Sequence, residues 1–406
     1  MSDQALAMQG VSVLDFTWFG VGPITTKYLA DNGADVVKIE SMSRPDGLRL
    51  VGPWKDGKPD INNSQFFGSC NSSKKGLMLD MSRREARDIV RRLVPQFDVV
   101  ANSFTPGIMA KWGLGYEELR QIRGDVIMLS TCMQGQTGPH AHYPGYGQLI
   151  AALSGFYYLS GYSETDIAPP HGAYTDFVVP RLAAFALLGA LLYRRRTGHG
   201  QHLDISQYEA GLQFLAPAVV DYAASGTIMQ PRGNRSDCYA PHGAYRGTDA
   251  DDGGERWLSI AVADDQQWTN LLAVLGAPGD PRFATMIARL ENQDQLDVYV
   301  QGLVLGRDVV EVAHALQSVG VAAYPVQNCL DLHSDENLLA FEFWQWLDQR
   351  DAGTMPYEGL SYRLERTGSF QTAAPSLGEH TQELLGELLG MTAREVDRLR
   401  ETGVVA

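Results

Sequence analysis

The sequence predicts an α/β fold that is built on a parallel β-sheet. Three features at the start of the chain favour it: an apolar strand at residues 11–16, a helical stretch at about residues 23–32, and a second apolar strand at residues 36–39. A strand, a helix and a strand in this order are typical of two parallel strands that a crossover helix joins. We therefore expect the chain to begin with a parallel sheet.

Strands and helices continue to alternate along the first half of the chain. Strands are predicted at residues 76–79, 98–101, 126–131 and 201–205, and helices at about residues 83–94, 179–197 and 207–225. A polar, loop-like segment follows residue 230, and helices are predicted after it at residues 265–275, 293–303 and 309–319.

Composition and charge limit the partners that we expect. The 406 residues suffice for two or three domain-sized units, and 44% hydrophobic with 20% charged residues are typical of a soluble globular protein. The net charge of −15 argues against nucleic acid and anionic membranes as partners, because both favour a basic surface. The N-terminus lacks the basic start and apolar run of a secretion signal, and we predict no membrane-spanning segment.

The cysteines favour a cytoplasmic location. The chain has four of them, far apart and without a Cys-x-x-Cys pair: Cys70, Cys132, Cys238 and Cys329. This pattern predicts reduced thiols in a cytoplasmic protein, not a disulfide framework or a zinc site.

The longest predicted helix, at residues 179–197, has clear start and end signals. Pro180 suits the first helical turn, where its missing N–H is not needed, and Gly198 follows three arginines, which suits the negative end of a helix. Residues 182–192 are apolar with only small residues between them, which predicts a helix that is buried all round. These eleven residues are too few to span a bilayer.

Asp176 lies just before this helix and is the first candidate for a reactive group. The positive pole of the helix favours the ionised carboxylate, while apolar surroundings remove water from it. Such a carboxylate can act as an anionic nucleophile at neutral pH. The residues alone favour a simpler interpretation, in which Asp176 only caps the helix, because most acidic residues at helix starts are caps.

The residues that follow Asp176 resemble a family signature. After the apolar helix the chain has, in order, Arg195, Arg196, Thr197, Gly198, Gly200, Gln201, Asp204, Ser206, Glu209 and Ala210. This run is similar to that of the class III CoA-transferases, the family of the formyl-CoA and carnitine CoA-transferases. The resemblance implies that Asp176 is the catalytic nucleophile.

Other segments carry the same resemblance in the family's order. Matching residues or segments are Phe104, Pro106, Gly107, Gly113, residues 133–139 and residues 377–399. The resemblance therefore covers nearly the whole chain. It implies that CoA is contacted by Ser103, Phe104 and Thr105, with Lys111 where the family usually has an arginine.

Further basic residues are candidates for binding the phosphates of CoA. Lys74 and Lys75 stand on a loop before a strand, and α/β proteins commonly bind ligands at the edge of the sheet. They also loosely match a basic segment of the family. Where the family often has an arginine after the second strand, this chain has Ser41, so Arg44 or Arg49 would have to replace it.

Tyr146 bears on which reaction of this family the chain performs. Related racemases carry a histidine at this place and use it together with the aspartate to move a proton at the α-carbon. Without that histidine a two-base proton transfer lacks one member, so Tyr146 favours CoA transfer. A racemase or isomerase of the same fold stays an alternative, and the resemblance also makes Tyr146 an expected CoA contact.

The polar loop at residues 230–246 supplies candidates for substrate specificity. Arg232, Arg235 and His242 could hold a second carboxylate on the acyl group, because a guanidinium binds a carboxylate through two parallel hydrogen bonds. The residues alone slightly favour the alternative that this loop is merely solvated.

Two features of the sequence keep other functions open. Residues 177–180 replace glycines of the family, which leaves either a differently shaped acyl pocket or a catalytically silent CoA-binding subunit that pairs with an active one. Residues 20–25, with Glu40 further on, partly match a dinucleotide fingerprint. Thr25 replaces its third glycine, so a nicotinamide enzyme ranks well below CoA transfer.

The resemblance implies a Rossmann-like parallel-sheet large domain with a smaller inserted α/β domain, in an intertwined ring-like dimer, either a homodimer or a heterodimer with a related subunit. We expect the large domain at residues 1–225, the small domain at 226–330 and a return to the large domain at 331–406. Asp176 would move CoA from a donor acyl-CoA, with succinyl-CoA as candidate, to a small carboxylic acid through a mixed anhydride and an aspartyl-CoA thioester. CoA thioesters are then substrates, and we expect neither a permanently bound cofactor nor a metal.

Overall fold

The computed structural model describes residues 5–163, 166–250 and 253–406, which form two compact units. The first unit extends to Phe156, continues with Pro170–Gly226 and ends with Asn337–Ala406, and the second comprises Tyr157–Pro169 and Thr227–Glu336. The predicted boundaries, after residues 225 and 330, did not assign Tyr157–Pro169 to the second unit.

The described residues form thirteen β-strands. They are β1 Ser12–Phe16, β2 Asp35–Glu40, β3 Lys75–Met78, β4 Val99–Asn102, β5 Ile127–Cys132, β6 Gly161–Ser163, β7 Asp166–Ile167, β8 His202–Ser206, β9 His242–Arg246, β10 Trp257–Ala261, β11 Ala322–Pro325, β12 Trp344–Gln349 and β13 Gly353–Glu358.

The described residues also form eighteen α-helices. They are α1 Val21–Ala30, α2 Gln65–Asn71, α3 Arg84–Leu93, α4 Ile108–Lys111, α5 Tyr116–Ile122, α6 Gly147–Leu153, α7 Phe156–Leu159, α8 Tyr174–Thr197, α9 Gln207–Gln213, α10 Ala216–Ser225, α11 Asp265–Leu275, α12 Met286–Glu291, α13 Gln293–Val304, α14 Val309–Ser318, α15 Cys329–Ser334, α16 Glu336–Ala340, α17 Thr381–Leu389 and α18 Ala393–Glu401.

The first unit is built on a parallel sheet, which confirms the predicted α/β fold. Within the described residues, six strands pair in the order β3-β2-β1-β4-β5-β8, all parallel. The chain adds strands outward from β1 on one side and then crosses to β4 on the other, so the order reverses between β1 and β4. In such sheets, ligands bind at the carboxyl ends of the strands beside that reversal.

Both faces of this sheet are covered by helices because successive strand residues point to opposite sides. From β1, Leu14 and Phe16 pack with α3, α5, α17 and α18 in one core cluster. Val13, between them, packs on the other face against Leu29 of α1 and Leu187 of α8. The near-continuous apolar strands of the sequence therefore reflect burial on two faces.

Helix α8 begins five residues earlier than the sequence predicts, so Asp176 lies inside its first turn and not before it. Pro180 is the seventh residue of the helix, where it has no N–H to offer the main-chain carbonyl of Asp176 four residues earlier. The carboxyl end agrees with the sequence signals, because Gly198 has a φ of 75° and closes the helix.

The prediction that residues 182–192 are buried all round is wrong for the single chain. Val179, Ala183, Leu187 and Ala190 are buried and lie along one face of α8, whereas Phe185 is 76% exposed and Leu188 and Leu192 are about half exposed. At 24 residues, α8 is also long and apolar enough to cross a membrane. Core helices of soluble proteins can have the same length and composition, so these two properties alone do not identify a membrane span. Its exposed apolar face therefore requires an explanation.

The predicted helix at residues 207–225 is two helices, α9 and α10. Pro217 stands in the first turn of α10, and a proline at this place in one long helix would remove a helical hydrogen bond and collide with the preceding turn. None of the residues of α10 is buried, although most are apolar.

The chain's last segment completes the first unit at the edge strand β3. The main-chain N–H of His380 donates to the carbonyl of Gly76, and Thr381 Oγ1 accepts a hydrogen bond from the N–H of Met78 at 3.0 Å. Helix α17 follows directly and packs its leucines into the core. The segment therefore covers an edge that would otherwise present unpaired main-chain groups.

The second unit is a separate α/β body. Its antiparallel sheet has the order β11-β10-β9, and helices α11, α13 and α14 pack on it around Leu258, Trp268, Phe283 and Leu316. The three helices predicted at residues 265–275, 293–303 and 309–319 lie within a residue of those in the structure.

Candidate active site

A cavity of about 860 Å³ lies in the first unit at the carboxyl ends of β1, β2, β4 and β5. Its wall includes Phe16 at the end of β1, Glu40 at the end of β2, Ser103 just after β4 and Thr131 near the end of β5. The cavity is therefore beside the reversal of strand order, where doubly wound α/β folds bind ligands.

Half of the site residues that the sequence pointed to line this cavity. They are Arg44, Ser103, Phe104, Thr105, Tyr146 and Asp176. Each of the segments that carry them follows a strand of the sheet or begins a helix beside it, so the fold brings them together although they are far apart in sequence.

Asp176 enters the cavity between two close main-chain segments. A Cβ atom on Gly20 would lie 2.7 Å from Cβ of Asp176, and a Cβ atom on Gly147 would lie 2.3 Å from Oδ1. Neither position can carry a side chain without displacing the carboxylate. The two glycines thus let the backbone approach Asp176 more closely than any other residue would.

Burial raises the pKa of Asp176 to about 6, and a hydrogen bond from Gln207 opposes part of this effect. No charged side chain of the described residues contributes to the shift, including Arg181 and Glu209 on the neighbouring helical segments. At pH 7 roughly nine tenths of such a carboxyl group is ionised. The site therefore presents a poorly hydrated anion without a paired cation.

Gln207 was not among the predicted site residues, although it contacts the Asp176 carboxylate. It is buried at the start of α9, directly after β8, and its Nε2 donates hydrogen bonds to Oδ1 of Asp176 and, at 2.8 Å, to Oγ1 of Thr175. The Thr175 hydroxyl donates in turn to the carbonyl of Gly147 at 3.1 Å. Two features of the sequence could have indicated Gln207. It directly follows the carboxyl end of a predicted strand, and it lies within the family-like run that contains Ser206 and Glu209.

Aromatic side chains form one wall of the cavity. The ring of Phe104 packs edge-on against Trp18 and Trp112, each with a centroid separation of 5.2 Å. Nε1 of Trp18 and Oγ1 of Thr131 are buried here without a hydrogen-bond partner among the described residues. Both groups can form hydrogen bonds with water or with a molecule in the cavity.

Lys74 is not in the cavity, contrary to the sequence interpretation. Its Nζ is buried and donates to Asp15 Oδ2 at 3.0 Å, to the carbonyl of Pro23 at 2.9 Å and to Asn71 Oδ1 at 2.9 Å. Burial lowers the pKa of this lysine to about 8 against the opposing effect of Asp15. Lys74 thus has three partners beneath the site and no donor left for a phosphate.

Lys75, Arg49 and Lys111 also lie outside the cavity wall. Lys75 begins β3, at the amino edge of the sheet, and pairs with Asp35 at 3.1 Å. Ligands of such sheets bind at the opposite, carboxyl edge, which is why a loop before a strand was the wrong place to expect phosphates. Arg49 is buried in an ion pair with Glu40 at 2.8 Å, and Lys111 is exposed at the end of α4.

The predicted acyl-binding residues belong to the second unit and have partners within it. Arg232 pairs with Asp237, and Arg235 pairs with Asp294 and Asp297 at 2.7 and 2.8 Å. The ring of His242 contacts the carbonyl of Asn234 through Nδ1. A substrate carboxylate that binds either arginine would share its guanidinium with these acidic side chains.

The nicotinamide interpretation loses its two structural supports. Gly20 packs against Asp176, and Gly22 packs against Thr17 and Thr131, where an added Cβ would lie 2.4 Å from Cβ of Thr17. Glu40, which would hold a ribose, is buried in its ion pair with Arg49. Both glycines and the acid are thus explained by packing around the cavity.

Comparisons with known proteins agree on one family. The chain matches the model of CoA-transferase family III over residues 8–381. It is 30% identical to the succinyl-CoA–D-citramalate CoA-transferase of Chloroflexus aurantiacus over 98% of each chain, and 28% identical to the succinyl-CoA–L-malate CoA-transferase beta subunit of that organism, again over 98% of each.

A solved structure with the same fold is that of a CAIB/BAIF family protein from Brucella suis, with a TM-score of 0.85. The two sequences are 29% identical, and the match covers 95% of this chain and 100% of the Brucella chain. The family model spans most of the chain, and the citramalate enzyme matches it from end to end. The chain therefore belongs to CoA-transferase family III and is an enzyme of that class.

Proposed function

We propose that this enzyme transfers CoA from succinyl-CoA to an acceptor carboxylic acid, with Asp176 as the nucleophile. The observation that carries the proposal is the Asp176 carboxylate itself, which is poorly hydrated, lies in a cavity between Gly20 and Gly147 and has no cation paired with it. Such an anion is a better nucleophile than a hydrated carboxylate.

The reaction proceeds through three covalent intermediates, a mixed anhydride, an aspartyl-CoA thioester and a second mixed anhydride with the acceptor, without net proton transfer. A carboxylate oxygen of Asp176 attacks the thioester carbon of succinyl-CoA, the C–S bond breaks, and a mixed anhydride and CoA thiolate form. The thiolate attacks Cγ of Asp176 and releases succinate, which leaves an aspartyl-CoA thioester. The acceptor carboxylate attacks the same carbon and expels the thiolate, which then takes the acceptor's acyl group and frees Asp176.

The cavity wall supports this use of a CoA thioester. We assign binding of a CoA phosphate to Arg44, the one cation in the wall among the described residues. The aromatic wall of Trp18, Phe104 and Trp112 fits the apolar parts of the CoA molecule, with polar contacts from Ser103 and Thr105.

The substrates follow from the relatives. Proteins similar to this chain are named for succinyl-CoA as donor and for D-citramalate, L-malate or glutarate as acceptor. We therefore propose a dicarboxylic acid as the acceptor. Tyr146, at 70% exposure, stands at the cavity's rim and gives no second base, which argues against the racemase alternative.

We also propose that the active form is a dimer, either of two copies or with a related subunit. Its support is the exposed apolar face of α8 together with α10, on which Val219, Val220 and Tyr222 are more than half exposed. Apolar surface of this extent is unusual on a monomer. Relatives include the alpha and beta subunits of a succinyl-CoA–L-malate CoA-transferase.

The first experiment incubates the purified chain with succinyl-CoA and a panel of carboxylic acids that includes malate, citramalate and glutarate. New acyl-CoA esters are followed by mass spectrometry. We expect transfer to at least one dicarboxylate, with rates that rise with pH around a midpoint near 6, because only ionised Asp176 attacks. Asp176→Ala should abolish transfer while CoA binding, measured by calorimetry, persists.

Unchanged transfer by Asp176→Ala would contradict the nucleophile assignment. Deuterium uptake at the α-carbon of an acyl-CoA without any acceptor would favour the racemase instead. CoA binding by the wild type without transfer or a covalent adduct would favour a silent subunit that needs an active partner.

A further inference from the structure

We propose that Gln207 is a catalytic residue of this enzyme. Its side-chain N–H donates a hydrogen bond to the Asp176 oxygen that stays on the protein during acylation, and it stabilises the negative charge that forms there each time Cγ is attacked. The inference rests on the proposed function, in which Asp176 is the nucleophile, and it adds an oxyanion donor to that site.

The hydrogen-bond network fixes which atom of the Gln207 amide faces Asp176. The Thr175 hydroxyl uses its proton on the carbonyl of Gly147, so its oxygen can only accept from Gln207. The ionised carboxylate of Asp176 is likewise only an acceptor. Both neighbours therefore require the NH₂ group, and its two N–H bonds are aimed at Thr175 Oγ1 and Asp176 Oδ1.

The two carboxylate oxygens of Asp176 have different surroundings. Both oxygens lie close to Gly147, but only Oδ1 accepts the hydrogen bond of Gln207. Oδ2 accepts no hydrogen bond from the described residues, so its lone pairs are free to attack a thioester. Oδ2 then becomes the bridging oxygen of the anhydride, and Oδ1 becomes the carbonyl oxygen that Gln207 already contacts.

Two steps of the reaction place negative charge on Oδ1. When the thiolate attacks Cγ of the anhydride, the C=O electron pair moves to Oδ1, and collapse breaks the Cγ–Oδ2 bond and releases succinate. When the acceptor carboxylate attacks Cγ of the thioester, Oδ1 is charged again, and collapse breaks the Cγ–S bond. A fixed donor that is already in contact stabilises such charge without reorganisation.

The principal test replaces Gln207 by Met, which keeps the length of the side chain and removes its donors. Removal of one oxyanion donor typically lowers kcat by about 100- to 1000-fold, and we expect a loss of that size with little change in the KM for succinyl-CoA. Without an acceptor, rapid-quench mass spectrometry should show the same slowing in the formation of the aspartyl-CoA thioester. Gln349→Met is the matched control, since Gln349 is equally buried but bonds Ser376 away from the cavity.

The pH dependence separates this role from an effect on ionisation alone. The Gln207 hydrogen bond lowers the pKa of Asp176, so Gln207→Met should move the rising limb of the rate to higher pH. We expect the loss in kcat to persist at pH 8.5, where Asp176 is ionised in both proteins. Recovery of the wild-type kcat at pH 8.5 would overturn the proposal.

A second variant, Gln207→Glu, restores a donor only when the new carboxyl group is protonated. Its ionised form repels Asp176, so its rate should increase as the pH is lowered from 8.5, opposite to the wild type. A wild-type pH profile for this variant would contradict the proposal. If Asp176→Ala is inactive and Gln207→Met is fully active, the inference fails alone; if Asp176→Ala remains active, the proposed function fails.

Discussion

At the scale of single residues, the site depends on two glycines as much as on the residues that carry functional side chains. Gly20 and Gly147 approach Asp176 from two sides, and any Cβ atom there would overlap the carboxylate. Burial between them removes water from the Asp176 carboxylate and thereby raises its pKa to about 6, which still leaves most of it ionised at neutral pH. The raised pKa of Asp176 is therefore set by close backbone packing and not by charged neighbours.

We predict that Gly147→Ala disables the enzyme without unfolding it. The added methyl group would lie 2.3 Å from Oδ1 and 2.5 Å from Cγ of Asp176, so the carboxylate must leave the position in which Gln207 contacts it. Displacements of about 1 Å cost roughly 100-fold in rate, and we expect at least that loss in kcat for CoA transfer.

The control is Gly302→Ala in α13, where the new methyl group meets nothing within 4 Å. It should leave kcat unchanged and raise the free energy of unfolding by up to about 1 kcal/mol. Wild-type activity of Gly147→Ala would show that Asp176 does not need this close contact.

Sequence motifs marked several of the residues that line the cavity, but not Gln207. Asp176 was marked by its helix and by the family-like run after it. Gln207 lies in the same run, but only the folded packing brings its amide to Asp176. Lys74 is a basic residue on a loop and therefore resembles a phosphate ligand in the sequence. Its side chain is instead buried against Asp15 and Asn71, and the sequence alone does not show these contacts.

At the scale of elements, α8 has two unlike faces that its sequence does not distinguish. Its buried face uses small residues and Leu187 against the sheet, while its exposed face carries Phe185 and Leu188. Both faces are apolar, so periodicity could not separate a helix buried by its own chain from one that a partner covers. The same uniform composition makes α8 resemble a membrane span.

We predict that the double variant Phe185→Glu, Leu188→Glu prevents dimer formation. Charges on this face would be buried without partners in the assembly, which is strongly unfavourable. Size-exclusion chromatography with light scattering should give twice the chain mass for the wild type and the single chain mass for the variant.

Val298→Glu is the control for this experiment, since Val298 is 75% exposed but lies beside Asp294 and Gln295 on α13. It should leave the mass unchanged. A monomeric wild type would contradict the dimer, and its recovery in the membrane fraction would favour a membrane role for α8.

At the scale of the whole molecule, the direction of the strands decides which basic residues can reach a substrate. The cavity lies at the carboxyl edge of the parallel sheet, and Arg44 stands there shortly after β2. Lys75 stands at the amino edge of the neighbouring strand. Two residues that look equivalent as phosphate ligands in the sequence are thus on opposite edges of the sheet.

We predict that Arg44→Ala raises the KM for succinyl-CoA by about 10-fold or more, because it removes a charged hydrogen bond to the donor. Lys75→Ala should leave the KM unchanged, since it breaks only an exposed ion pair with Asp35. Steady-state kinetics with varied succinyl-CoA measures both. Equal effects of the two substitutions would contradict the assignment of the phosphate to the carboxyl edge.

The fold as a whole was more predictable than its site. Apolar strands that alternate with helices favour a parallel sheet, because a helix is the usual crossover connection between parallel strands. Each predicted strand of the large sheet is present within a residue or two. The order of the strands and the inclusion of Tyr157–Pro169 in the second unit depend on contacts between distant segments, which local patterns do not encode.

Pro180 gives the first turn of α8 a mechanical property that suits its task. Because it has no N–H, the main-chain carbonyl of Asp176 receives no helical hydrogen bond from it, and about 1 kcal/mol of local restraint is absent at this residue. Asp176 changes its covalent partner four times in the proposed cycle, and Cγ alternates between planar and tetrahedral geometry. The peptide group that follows Asp176 can adjust at each change without breaking a hydrogen bond of the helix. The nucleophile therefore lies in a flexible first turn, while the rest of α8 stays fixed.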